Sequence, residues 1–252
     1  MMRRDWDDRA RKEAFHYIAT WRQDWDPDSF FRSGEEDYQR LVEVFFRRWQ
    51  WQPDRKAMLE LGCGAGRMTR SFARRFACVY ACDISPEMLR RAKTLLPAAD
   101  NIVWLQGDGK SLAGVGANSV DFVFSYIVLQ HMPTEALAFQ YVREMLRVLK
   151  PEGAFLFQFN SVREPTMNRT GRLAWGVVDA LWTIRMNRAS RAVASWMGWD
   201  PELAGKSWRG ASVEVDRMLE VLWSAEGAVQ EMSGAGTPMT WCWGMKRAGN
   251  GR

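Results

Sequence analysis

Histidine is nearly absent, with two residues in 252, His16 and His131. The four cysteines, Cys63, Cys78, Cys82 and Cys242, form no C-x-x-C pair and have no histidine near them. A zinc site is therefore not expected, nor any other metal. Unpaired thiols point to a reducing, cytoplasmic compartment. No run of 18 apolar residues occurs, so no transmembrane helix is expected. The opening MMRRDWDDRARKEAF sets acids directly after its basic pair and has no apolar stretch, unlike a secretory signal. Charge of one sign is also scarce in excess, with 35 basic against 30 acidic residues. Twenty glycines and nine prolines are ordinary usage, which sets aside collagen-like and low-complexity chains. With 47% hydrophobic and 26% charged residues, the chain has the profile of a globular protein without visible repeats.

Tryptophan is what the chain has in abundance, 14 residues in all. Residues 1–56 read as a helical cap, with 12 basic and 12 acidic residues. One amphipathic run ends near Trp21, a loop follows at Asp26-Pro27-Asp28-Ser29, and a second run extends from Glu35 to Trp49. From Ala57 the pattern becomes alternating strands and helices. Strands are expected at 57–61, 78–83, 101–106, 120–125 and 154–159, with helices at 65–76, 86–96 and 134–149. Ser85 and Pro86 form a helix start. A helix at 212–226, ending at a Gly227 cap, leads to an antiparallel hairpin of 228–233 and 239–246. The expected fold is α/β: a doubly wound, mostly parallel seven-stranded sheet with an antiparallel C-terminal hairpin. The units are a cap (1–56), a core (57–160), an insert (161–210) and a completing helix and hairpin (211–252). The insert, a helical lid over substrate in this reading, holds five tryptophans and a net charge of +4.

The stretch Leu59-Glu60-Leu61-Gly62-Cys63-Gly64-Ala65-Gly66-Arg67 leaves a strand and enters a helix. Alternate glycines let a ligand approach the backbone. Asp83, at the end of the second strand, is placed to accept hydrogen bonds from a ribose diol. Gly107-Asp108-Gly109 follows the third strand, so three loops meet at one edge of the sheet. Arg67 stands where a dinucleotide fingerprint needs Gly or Ala, which disfavours a dehydrogenase. Glu60 suits a cationic amino-acid ligand better than a pyrophosphate.

Together LELGCGAGRMT, ACDISPEML, QGDGKSL, VDFVFSYIVLQHM and VLKPEGAFLFQF resemble, in order, the five motifs of class I S-adenosylmethionine-dependent methyltransferases of the broad small-molecule group. The resemblance spans about residues 57–160. It implies S-adenosylmethionine as cofactor. Gly62, Cys63, Gly64 and Gly66 would line its methionine part, and Glu60 would act on its ammonium group. Asp83 would take the ribose hydroxyls, Ile84 would pack on the adenine, and Asp108 with Gly109 would hold the adenine amino group. Ser125 would lie near the sulfonium, and Tyr126 would close the site.

On the acceptor side, His131 is the candidate general base, against a role in ordering its loop. Tyr17 and Trp21 of the cap, and Trp175, Trp182 and Arg185 of the insert, are candidate acceptor contacts. The insert's aromatic and basic character suits a membrane surface as well. The expected reaction is methyl transfer to an oxygen or nitrogen of a small, apolar or aromatic acceptor. A non-catalytic S-adenosylmethionine-binding protein is the alternative. A nucleic-acid methyltransferase is less favoured, because Ser125-Tyr126-Ile127-Val128 replaces the Asn-Pro-Pro-Tyr type of signature and no nucleic-acid module is visible. The oligomeric state is not legible in the sequence.

Overall fold

Side chains of a strand point alternately to the two faces of its sheet, so a sheet apolar on both faces has to be covered twice. Met58, Phe122, Phe124 and Leu156 enter one core here, and Leu59, Val123, Phe155 and Phe157 the other. The structure is a computed structural model and describes residues 2–19, 24–162, 173–174, 176–178, 180–181, 186–197 and 210–248. Its strands are β1 (Ala57–Leu61), β2 (Cys78–Asp83), β3 (Ile102–Gln106), β4 (Val120–Ser125), β5 (Leu149–Phe159), β6 (Gly227–Ser233) and β7 (Thr240–Lys246). They form one sheet in the order β3-β2-β1-β4-β5-β7-β6. β1 to β5 pair in parallel, and β7 runs antiparallel to both β5 and β6. This is the expected doubly wound, seven-stranded fold. The strand order reverses between β1 and β4, and open α/β sheets bind ligands at that crevice.

The helices are α1 (Met2–Ile18), α2 (Pro27–Asp37), α3 (Val44–Arg48), α4 (Thr69–Ala73), α5 (Pro86–Leu95), α6 (Glu135–Val148), α7 (Asn187–Trp196) and α8 (Val215–Ser224). Ser85 caps α5 by accepting from the Met88 N–H at 3.2 Å, as its sequence pattern predicts. Three expectations need correction. The loop at Asp26 is a helix start: Asp26 and Ser29 form a capping box, Pro27 takes the first position, and α2 runs through a π-helical turn, Tyr38–Glu43, into α3. The helix expected over 65–76 shrinks to α4, because Gly62, Gly64 and Gly66 all take positive φ and hold the preceding residues in turns. The tail helix ends at Ser224, and Glu226 rather than Gly227 takes positive φ.

Two tryptophans of β7 pack against the sheet's aromatic core. Trp241 and Trp243, two apart on β7, share a core with Phe46, Phe72 and Phe122, while Cys242 between them joins the opposite core. Phe45 stacks on Trp243 at 5.6 Å, and Phe46 meets Phe122 edge-on at 5.0 Å. These contacts bind the α2–α3 rod to the sheet. Near its N-terminal end the rod passes the glycine loop so closely that a Cβ on Gly34 would stand 2.0 Å from the Arg67 carbonyl oxygen. The Arg67 guanidinium reaches back to Asp37 on α2 at 2.7 Å.

Gly34→Ala therefore gives a test of sign. In an ordinary helix interior the change stabilises by about 1 kcal/mol. Here the new methyl has to push α2 off the loop, and a net loss of about 1–3 kcal/mol is expected. Urea unfolding of both proteins checks it; a raised midpoint would show that α2 does not sit on the loop.

Candidate cofactor and acceptor site

The carboxyl ends of β1, β2 and β4 carry a cavity of about 360 Å³ with walls from several separate parts of the chain. Leu61, Gly62 and Gly64 form its floor beside Cys82, Asp83 and Ile84. Gly107 adds the end of β3, and Tyr126 to Met132 supply the loop after β4. Met2, Trp6, Tyr17 and Ile18 of α1 close it from above, and Met239 from the hairpin loop closes its side. A second, smaller cavity of about 40 Å³ lies behind the glycine loop, between Glu60, Gly62, Cys63, Arg67 and Tyr126.

Asp83 organises the larger space. Its Oδ2 accepts the Gly64 N–H and its Oδ1 the Ser85 N–H, both at 2.9 Å. Burial raises its pKa to about 6, against the lowering effect of those two bonds. Glu60 is buried, accepts the Thr69 hydroxyl at 2.6 Å, and is raised to about 7, again by burial. Gly62 cannot carry a side chain: its φ is +80°, and a Cβ would lie 2.1 Å from Val128. Gly64, with φ +54°, has the Ile18 side chain 2.9 Å from the corresponding point. The Cys63 thiol is buried, and burial pushes its pKa well up.

Of the other residues singled out for the cofactor, Tyr126 lines the cavities and the rest stand outside them. Gly66 turns away from both cavities and faces Leu96, Ala92 and Trp104, so its missing Cβ serves packing against α5. Asp108 is exposed and folds back on its own loop, accepting from the N–H groups of Lys110 (2.7 Å) and Ser111 (2.6 Å) and from the Ser111 hydroxyl (2.7 Å). Those bonds hold its pKa below the usual range. Gly109 backs Ile84, whose Cδ1 would lie 3.0 Å from a Cβ there. Ser125 is buried and donates to the Leu61 carbonyl at 3.3 Å. Tyr126 walls both cavities, and burial raises its pKa.

His131 lines the larger cavity with its ring edge-on to Trp6, centroids 5.6 Å apart. Burial, with Arg9 of α1 as the lesser cause, lowers its pKa to about 4. Tyr17 lines the same cavity, and Arg9 lies over the Trp6 and Tyr17 rings at 5.3 and 5.0 Å. Trp21, Trp175, Trp182 and Arg185 lie outside the described residues. Sequence reasoning passed over Met2, Trp6, Gln130, Met132, Tyr141 and Met239. Met2 and Trp6, four apart, share one helical face, whereas Tyr17 follows a break in α1 at Glu13 (φ −160°, ψ 80°), so helical spacing could not have grouped it with them. Nothing local marks Met239, since the hairpin is brought there by the sheet.

Residues 59–157 match the methyltransferase domain family. Across 134 residues the chain is 31% identical to a ubiquinone biosynthesis O-methyltransferase of Serratia proteamaculans, covering 52% of this chain and 51% of the other. Over 125 residues it is 30% identical to a malonyl-[acyl-carrier protein] O-methyltransferase of Halalkalibacterium halodurans, covering 47% and 44%. The chain spans from about a fifth to about half the length of the curated relatives it matches. Magnesium protoporphyrin IX methyltransferase of Synechocystis PCC 6803, solved with bound SAH, has the same fold, with a TM-score of 0.59, 16% identity and coverage of 97% of both chains. The cofactor of such a domain is S-adenosylmethionine, and this site fits it. Gly62 and Gly64 border the cavity without side chains, and the Asp83 carboxylate lines it beside them. Residues 59–157 thus match a methyltransferase domain, and the chain carries the fold of the solved S-adenosylmethionine-dependent methyltransferases.

Proposed function

We propose that this chain transfers the methyl group of S-adenosylmethionine to an oxygen or nitrogen of a small apolar or aromatic acceptor. The observation that carries the reading is the lining of the larger cavity, which sets the glycine loop and Asp83 in one space with Trp6, Tyr17, His131, Met132 and Met239. Its 360 Å³ is within the usual range of small-molecule sites, about 300–1,000 Å³. When bound, the cofactor supplies a methyl group on a sulfonium, already a strong electrophile, so positioning and exclusion of water are what the protein has to add. In this reading Asp83 takes the ribose diol, Gly62 and Gly64 border the methionine chain, and Glu60 at the smaller cavity acts on its ammonium group. Tyr126, between the two cavities, closes the site near the reacting carbon. Asp108 would have to leave its own loop to reach an adenine, so Ile84 and Gly107 are the better-placed adenine contacts. Insert residues 161–210 form the outer acceptor wall in this reading.

The raised pKa values of Asp83 and Glu60 give a pH test. Each group binds its proton more tightly folded than unfolded, where the values are 3.8 and 4.5. The unliganded protein therefore loses stability as pH rises from about 4 through about 7. S-adenosylhomocysteine needs the Asp83 carboxylate ionised, so its affinity should rise about tenfold between pH 5 and 7.5. In Asp83→Asn the affinity at pH 7.5 should fall at least tenfold, as expected for loss of a charge-assisted hydrogen bond, and much of the pH dependence should go with it. Calorimetric titration at the two pH values measures both. A flat wild-type profile, or binding of NAD in place of S-adenosylhomocysteine, sinks the assignment.

The insert can be tested by removal, because both its ends are fastened to the core. Ser161 accepts the Gly236 N–H at 2.8 Å and donates its own N–H to the Thr237 carbonyl at 3.0 Å. On the return, Ala211 donates to the Met132 carbonyl at 2.8 Å and Val213 to the Asn160 carbonyl at 2.9 Å. Joining Val162 to Gly210 through a short Gly/Ser turn should leave cofactor binding intact and cut kcat/KM for the acceptor at least tenfold. Single-turnover methylation before and after trimming measures this. Unchanged efficiency would make the insert structural, and no turnover with any acceptor would favour a non-catalytic cofactor-binding protein.

A further inference from the structure

Two amides stand in series next to His131, Gln130 on the cavity wall and Gln158 behind it. Gln158, near the end of β5, is fully buried and lines neither cavity. Its Oε1 accepts the Ile127 N–H at 3.0 Å. Its Nε2 donates to the Pro238 carbonyl and, at 2.8 Å, to Oε1 of Gln130. A backbone N–H can only donate and a carbonyl can only accept. Ile127 of the loop after β4 and Pro238 of the hairpin loop thus leave the Gln158 amide a single orientation. That orientation decides the next one. Gln130 has to turn its oxygen to Gln158, which leaves its NH₂ group 3.4 Å from Nε2 of His131. An amide NH₂ has no lone pair to offer, so the facing ring nitrogen has to be the acceptor.

We infer that Gln158 and Gln130 form a relay that sets the tautomer of His131, with the ring proton on Nδ1 and the Nε2 lone pair turned to Gln130. Gln158 is then a positioning residue. The relay also holds the wall itself. Ile127 has φ +56°, a conformation that a β-branched side chain seldom takes, and its N–H is tied to Gln158. Pro238 ties the same amide to the loop that brings Met239 to the cavity. A lowered pKa keeps the ring neutral, in keeping with a fixed tautomer. For methyl transfer, which rests on the function proposed above, the consequence is that Nε2 is engaged and does not take the acceptor's proton. His131 orders the wall.

The test needs neither cofactor nor acceptor, so it stands apart from the methyltransferase reading. Full-length protein labelled with ¹⁵N-histidine is examined at pH 7.5 by long-range ¹H–¹⁵N spectra. His16→Asn assigns the two imidazoles. The expected wild-type pattern for His131 is a protonated Nδ1 and a pyridine-like Nε2. Gln130→Glu replaces the donor by an acceptor and should move the proton to Nε2. Gln158→Glu should do the same from one residue further back, by drawing the Gln130 NH₂ to itself and leaving the Gln130 oxygen towards the ring. Should the buried carboxylate of Gln158→Glu prevent folding, Gln130→Glu at the cavity wall decides alone. A wild-type His131 that is protonated at Nε2 or cationic, or a tautomer unmoved by Gln130→Glu, overturns the relay.

Discussion

Everything at the mouth of the sheet hangs on the half-buried carboxylate of Asp83. It receives the N–H of Gly64 through one oxygen and that of Ser85 through the other. The first bond ties the glycine loop to the end of β2. The second fixes the start of α5, and the Ser85 hydroxyl carries the connection on to Asp7 of α1 at 2.5 Å. Asp7 also receives the Glu87 N–H at 3.3 Å, so an acid of the cap sits at the N-terminus of a core helix, where the helix dipole favours it. Loop, strand end, α5 and cap are thus linked through two acids and one serine. The raised pKa of Asp83 is the electrostatic cost of placing a carboxylate there.

The core was readable from the sequence because its physics is local. Period-two alternation marks strands: Trp241 and Trp243 go to one face and Cys242 to the other because adjacent residues of a strand must diverge. Tertiary contacts were less legible than local ones. Gly66 reads as a cradle glycine, yet it faces Leu96 and Trp104 on the far side of its loop. Asp108 reads as a ligand carboxylate, yet it is short enough to satisfy itself on Lys110 and Ser111. Arg67 argued correctly against a dinucleotide, but its positive role, pairing with Asp37 across to α2, depends on a helix thirty residues earlier in the chain.

The residues proposed to hold the cofactor and those proposed to face the acceptor differ in how they are assembled, and that explains their unequal legibility. In the first set, consecutive residues such as Gly62 to Gly64, or Asp83 and Ile84, work together, so the pattern is compressed into short motifs. For the second set the wall comes from α1, the loop after β4 and the hairpin loop before β7. Only sheet topology brings Met239 to His131, because β7 inserts beside β5 instead of following the order of the chain.

Such a wall has no continuous backbone to stiffen it, and its precision has to come from side chains that span its parts. Gln158 does this from below: one amide, fully buried on β5, is bonded to the loop after β4 and to the hairpin loop. An amide suits that place better than an acid or an amine would. It both donates and accepts, so it can satisfy an N–H and a carbonyl at once without bringing a charge into a buried site. Its requirement for one orientation then passes to Gln130, and through it to the ring of His131. Geometry imposed by two backbone groups is in this way converted into the protonation pattern of a side chain on the cavity wall.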